Sequence, residues 1–248
     1  MRCVPTIRRT HVLILLSALA LCAVAIRAQL AAPSTSAAAA MTGERTVADR
    51  LKEFGDAVHA RLEPRFREVG VAYPPKKLVL VGLKQERQLE LWVSDGSHDF
   101  RFLKTYPILA ASGISGPKLK EGDRQVPEGL YKIESLNPSS RFHLALRVNY
   151  PNEFDKDNGR REGRSKLGGD IMIHGGAASI GCLAMGDPAA EDLFVLAAET
   201  GIKNISVILT PIDFRVRDLP PGSPISPSWT PELYAEIRKA LAPLKQQH

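Results

Sequence analysis

Cys182 stands eight residues after His174, in the run Ile171-Met-Ile-His174-Gly-Gly-Ala-Ala-Ser179-Ile-Gly181-Cys182-Leu-Ala-Met. An apolar strand ends on a histidine, a glycine-rich turn follows, and a thiol lies at its far side. That spacing lets a tight loop join a base to a nucleophile, the arrangement that makes a thiolate near neutral pH. The chemistry expected is acyl transfer: attack on a carbonyl, an acyl-enzyme, and release to an amine or to water. His174 would deprotonate the thiol and later protonate the leaving amine. Gly175, Gly176 and Gly181 allow tight or left-handed backbone, and the amides of Gly181 and Cys182 are candidate donors to an oxyanion. A buried, inert cysteine beside a core histidine is the competing reading. A zinc site would need more ligands than the nearby Asp170 and Asp187 supply, so no metal or cofactor is expected.

The elements that must hold this pair follow from periodicity. From Thr46 to Val69, apolar residues at Val47, Leu51, Phe54, Val58, Leu62, Phe66 and Val69 mark one face of a helix, with Pro64 a point where it could bend. After Tyr73-Pro74-Pro75 the period changes to two. Strands are expected at Leu78–Val81, Gln88–Val93, Phe100–Leu103, Tyr106–Ala111, Gly129–Glu134, Phe142–Val148, Asp170–His174 and Ile205–Leu209. Between them only Asp187–Thr200, with Pro188 in its first turn, reads as a helix. Leu219–Pro227 is a rigid connector, and a short helix from Pro231 to about Leu244 ends the chain. Frequent strands and few helices predict a mainly β (α+β) domain over 76–212, flanked by an N-terminal helix (46–75) and a C-terminal segment (213–248).

The first residues carry Arg2, Arg8 and Arg9, an uncharged apolar run from Val12 to Ile26, then Arg27-Ala28. This is the order of a secretory signal over residues 1–28, and the run falls short of the ~20 residues that span a bilayer. Residues 29–45 form a low-complexity leader. Without 1–28 the chain keeps 29 basic and 27 acidic residues, a balance of +2 that offers no basis for nucleic-acid binding. Cys3 and Cys22 leave with the signal, so Cys182 is alone in an oxidising compartment, either inert or a working nucleophile.

At these residues the sequence resembles the L,D-transpeptidases of the YkuD type. His174-Gly175 matches the histidine-glycine step of their signature. Ser179, Gly181 and Cys182 match three of the four residues of its Ser/Thr-His-Gly-Cys part, and Pro127-Glu-Gly129-Leu-Tyr131 is similar to a strand entry of the family. The resemblance implies a β-sandwich catalytic domain, Cys182 as nucleophile, His174 as base and the Gly175 carbonyl as the group orienting the imidazole. It implies an exported, periplasmic enzyme acting on peptidoglycan stem peptides at diaminopimelate. Three departures stand out: a short His-to-Cys gap, Ile180 in place of the signature histidine, and Ala184 where most members carry arginine. All three are similar to a YafK-like branch, as are Leu136–Leu144 and Tyr150-Pro-Asn152. That branch is associated with hydrolysing the amide that joins diaminopimelate to the terminal lysine of a lipoprotein. The alternatives are 3→3 cross-linking, lipoprotein attachment, and a non-catalytic wall-binding module that has kept the fold.

Weaker candidates surround the motif. Arg160, Arg161, Arg164 and Lys166 lie in a polar segment, Asp155–Gly169, expected to be a loop long enough for a lid; its arginines could take stem-peptide carboxylates, and a merely solvated loop is the competing reading. Arg141 and His143 alternate with Phe142 and Leu144, so both could face the cleft as substrate-binding candidates, His143 being otherwise a satisfied strand residue. Ser179 is a further substrate-binding candidate. His59, His98, Trp92 and Trp229 are read as structural.

Overall fold

Thr46 starts the first helix by a reciprocal cap: the Asp49 amide donates to Thr46 Oγ1 at 3.1 Å and the Thr46 amide to Asp49 Oδ2 at 2.8 Å. Helix α1, Val47–Glu68, runs on through Pro64 and buries Val58, Leu62 and Phe66. The structure is a computed structural model that describes residues 44–97, 99–223 and 227–245. The expected signal, most of the expected leader, and His98 lie outside the described residues. The strands and helices all belong to one unit, Gly43–His248.

The strands are β1 (Lys77–Leu83), β2 (Gln88–Ser94), β3 (Arg101–Pro107), β4 (Ala110–Ala111), β5 (Gly129–Ser140), β6 (His143–Val148), β7 (Met172–His174), β8 (Leu183–Ala184) and β9 (Ile205–Thr210). The remaining helices are α2 (Glu153–Arg161), α3 (Asp187–Thr200) and α4 (Thr230–Leu241). The domain is mainly β with a few helices, as expected. Strands join in the order β3-β2-β1-β9-β5-β6-β7-β8-β4.

This sheet folds over on itself. A Cβ added to Gly82 in β1 would lie 2.7 Å from Leu209 of β9 and 3.4 Å from Leu183 of β8, although β8 is five strands away along the sheet. Strand β5 makes the turn possible: it belongs to both halves, and its register with β6 slips twice, between Ile133 and Ser135 and between Asn137 and Ser140. Between the layers Leu78, Leu80, Leu146, Ile173, Leu183 and Leu209 share one core with α1 and α3. Helix α3 is buried at five consecutive positions, Leu193–Ala197, as a helix enclosed on all sides must be. Strand β1 pairs in parallel with β9 and is apolar on both faces, and its other face (Val79, Val81, Leu83) packs with Trp92 and Ile208 under Leu233, Ile237 and Leu241 of α4.

Two expectations need correcting. Half of the proposed lid is helix α2, started by an Asn152–Asp155 capping box, with Asp155, Asn158 and Gly159 buried. Its polar residues pack inward and leave no apolar stripe to read. Strand β6 begins at His143, whose φ of 68° breaks the alternation assumed for Arg141–Leu144.

Candidate active site

The pair is set by two short strands. Strands β7 and β8 run parallel, with Ile173 opposite Leu183 and His174 opposite Ala184. Ile173 and Leu183 are fully buried in the interlayer core. Side chains alternate along strands, so His174 points to the opposite face, and Cys182, two residues before Ala184, projects from that same face. Gly181, at φ 94°, turns the chain into Cys182.

Among the described residues His174 has one ring hydrogen bond, from Nδ1 to the Gly175 carbonyl at 2.5 Å. A carbonyl only accepts, so Nδ1 carries the proton and Nε2 presents a lone pair in the neutral ring. Phe142 covers the imidazole, ring centres 4.7 Å apart and tilted by 32°. Gly175 is required by space: a Cβ there would lie 2.6 Å from Asp187 Oδ1, 2.7 Å from the Phe142 carbonyl and 3.0 Å from His143 Cβ. Asp187 Oδ1 accepts the Gly176 amide at 2.8 Å, which ties the glycine turn to the start of α3.

Around Cys182 the hydroxyls are already engaged. Ser179 Oγ accepts the Cys182 amide at 3.0 Å and donates to the Cys182 carbonyl at 2.5 Å. Ser112 Oγ accepts the Gly181 amide at 2.7 Å. The two amides expected to bind an oxyanion are thus bonded to hydroxyls, a correction to the simplest oxyanion hole. Ser179 clamps the cysteine instead of facing a ligand. The thiol is 3.5 Å from the Asp170 carbonyl, to which it donates. Burial raises the thiol's pKa, opposed by a hydrogen bond from the Met172 backbone; the Asp170 charge adds to the rise and Lys118 opposes it. Burial lowers that of His174, with the Gly175 carbonyl opposing. Burial thus favours the uncharged form of each group, where the sequence had suggested a thiolate.

The weaker candidates are drawn elsewhere. His143 Nε2 meets Glu191 at 3.1 Å and its ring stands edge-on to Phe54 of α1, so it joins helices to the sheet. Arg141 is exposed at the β5–β6 turn. Arg164 bonds the Leu119 carbonyl at 2.7 Å and pairs with Glu162. Phe142, Ser112 and Asp187 are the neighbours of the pair that sequence reasoning passed over. Ser112 carries no sequence signal; the left-handed His143 is what aims Phe142 at the imidazole. A cavity of about 580 Å³ lies between β5, β9 and α4, and neither member of the pair lines it.

Residues 76–212 match the family model of the YkuD L,D-transpeptidase catalytic domain, from just before β1 to just after β9. The chain belongs to the YkuD family of L,D-transpeptidases. The YafK protein of Escherichia coli K12 is 36% identical over 140 residues, 54% of this chain and 53% of that protein. The chain thus spans about half the length of the curated relative it matches. Among solved structures, the helical cell shape determining protein Pgp2 of Campylobacter jejuni is 25% identical at a TM-score of 0.44, over 55% of this chain and 48% of that one. L,D-transpeptidase 1 of Mycobacterium tuberculosis is 16% identical at a TM-score of 0.31, over 54% and 62%. Within the family frame, the Ala184 departure has a physical meaning. Ala184 is fully buried opposite His174, a position with no room for an arginine. Helices α1 and α4 lie outside the matched region.

Proposed function

We propose that the chain is an exported cysteine acyl-transfer enzyme acting on peptidoglycan stem peptides at diaminopimelate, with water as its acceptor. On this reading it hydrolyses the amide between diaminopimelate and a wall-bound lipoprotein. The observation that carries the acyl-transfer part is an imidazole whose Nδ1 is committed to the Gly175 carbonyl, leaving Nε2 its lone pair, on a strand paired with the one that directly follows Cys182. Nε2 takes the thiol proton as Sγ attacks the diaminopimelyl carbonyl. The imidazolium then gives that proton to the departing amine as the C–N bond breaks and a thioester remains. In the second half Nε2 takes a proton from water, hydroxide adds to the thioester, and the thiolate leaves and is reprotonated. Ser112, whose oxygen holds the Gly181 amide, keeps its own hydrogen available for the tetrahedral oxyanion.

The choice of water over an amine rests on the branch resemblance of the motif, with its short His-to-Cys gap, Ile180 and Ala184. The test uses the protein without residues 1–28 and sacculi bearing lipoprotein, with Cys182→Ala as control and products resolved by mass spectrometry. The expected product is free lipoprotein ending in an intact lysine, absent with the variant. New 3→3 dimers or newly attached lipoprotein would make the chain a transpeptidase. Release of nothing, with an unreactive Cys182, would leave a wall-binding module.

A further inference from the structure

A cleft of about 310 Å³ opens between the β1–β2 turn and the segment after β4, lined by Lys84, Gln85, Arg87, Ser112, Ile114 and Ser115 among others, none of them acidic. The two cations differ. Lys84 Nζ is consumed by Glu128 Oε1 at 2.8 Å and by the carbonyls of Ile114, Gly116 and Val126 at 2.9, 3.2 and 3.0 Å. Its role is to hold the cleft's outer wall. The Arg87 guanidinium meets no acceptor among the described residues and is exposed. Its backbone is fixed, the amide donating to the Lys84 carbonyl at 3.3 Å and the carbonyl accepting from Ile108 at 2.8 Å.

The cleft touches the candidate active site through one residue. Ser112 lines it, and its Oγ holds the Gly181 amide beside Cys182. Strand β4 pairs with β8, Ala111 opposite Leu183, so one step further Ser112 comes opposite Cys182. The strand order β7-β8-β4 puts His174 on one side of the cysteine and the cleft on the other. This order decides which part of a substrate reaches the cleft. The amine nitrogen must meet the imidazole that protonates it, so the acyl part must extend away from His174, towards β4.

We infer that the Arg87 cleft is the subsite for the side-chain carboxylate of the acyl donor. The inference rests on the function proposed above, in which the donor is diaminopimelate. Its reacting carbonyl belongs to one amino-acid centre and a free carboxylate to the other. A guanidinium with an open fork, in a cleft that Ser115 also lines, fits that group.

The test uses two soluble stem peptides carrying a lysine amide at the reacting carbonyl. One has the free side-chain carboxylate, the other its carboxamide, and lysine release is measured. A charge-assisted bond lost to the carboxamide predicts a preference of about tenfold for the acid, expressed mainly in KM. Arg87→Gln should bring the preference close to one, and Arg87→Lys should keep part of it. Equal turnover of both peptides by the unaltered protein, or a preference that survives Arg87→Gln, overturns the subsite while leaving the function standing. Release from neither peptide overturns the function and the subsite with it.

Discussion

At the scale of single residues, the acid–base state of the pair is set by burial. Protonation removes the Nε2 lone pair, so catalysis requires a neutral His174, and burial makes that form persist to lower pH than usual. Burial also keeps the thiol protonated to higher pH. For the proposed reaction kcat/KM should rise with pH through a value below the ordinary histidine 6.5 and should hold level until above the ordinary thiol 9.0. An acid limb at or above neutral pH would contradict a base whose charged form is penalised. The steric demand at Gly175 is separable. Gly175→Ala would drive a Cβ against Asp187 Oδ1 and the Phe142 backbone, and overpacking of this kind costs about 1–3 kcal/mol. Gly169→Ala, whose Cβ would meet nothing nearer than 3.9 Å, serves as the control and should be close to neutral in denaturant unfolding. Equal stability of the two variants would show that the glycine turn is not packed as described.

At the scale of elements, α2 is a helix held by its cap. Asn152 Oδ1 accepts the Asp155 amide at 3.0 Å and Asp155 Oδ2 the Asn152 amide at 3.0 Å, and Tyr131 bonds Asp155 from β5 at 3.3 Å. Asn152→Ala should therefore lower stability by about 1 kcal/mol, read as a shift in the urea midpoint. A shift within error would mean that packing alone holds the helix. The same element shows where sequence reasoning stops. Helix α1 is legible because Val58, Leu62 and Phe66 recur on one face, and β1 because Leu78–Val81 is an unbroken apolar run. In α2 only Phe154 is apolar, and the buried positions are Asp155, Asn158 and Gly159, so its signal is the Asn-x-x-Asp start and not a period. The His174–Cys182 segment is legible for the opposite reason: its glycines and lone thiol are rare choices that only a tight turn explains. Phe142 is not legible, because a single left-handed residue at His143 decides which side chain faces the imidazole.

At the scale of the whole domain, the part outside the family match is joined to the cleft by one buried carboxylate. Glu128 is almost wholly buried and accepts from Lys84 Nζ at 2.8 Å, the Gly116 amide at 2.8 Å and the Tyr234 hydroxyl of α4 at 2.8 Å. It thus ties the end of β1, the cleft wall and the C-terminal helix to one point. Tyr234→Phe removes one hydrogen bond to a charged acceptor and should cost roughly 1.5–3 kcal/mol. Glu128→Gln removes the acid that pairs with Lys84 and should cost more, about 3–5 kcal/mol, because a buried ammonium is left facing carbonyls alone. The two variants also differ in their response to pH. Burial lowers the Lys84 pKa, and Glu128 is the main influence raising it again. Without that carboxylate the folded-state value falls further, so the pH range over which the unfolded chain binds more protons widens downward and the variant gains stability with pH where the parent does not yet. Between pH 7 and about 9 the deficit of Glu128→Gln should shrink as pH is raised, whereas that of Tyr234→Phe should stay constant, because the tyrosine ionises only above that range. Denaturant unfolding of both variants over this range reads the difference, and parallel curves would show that Lys84 does not depend on Glu128 for its charge.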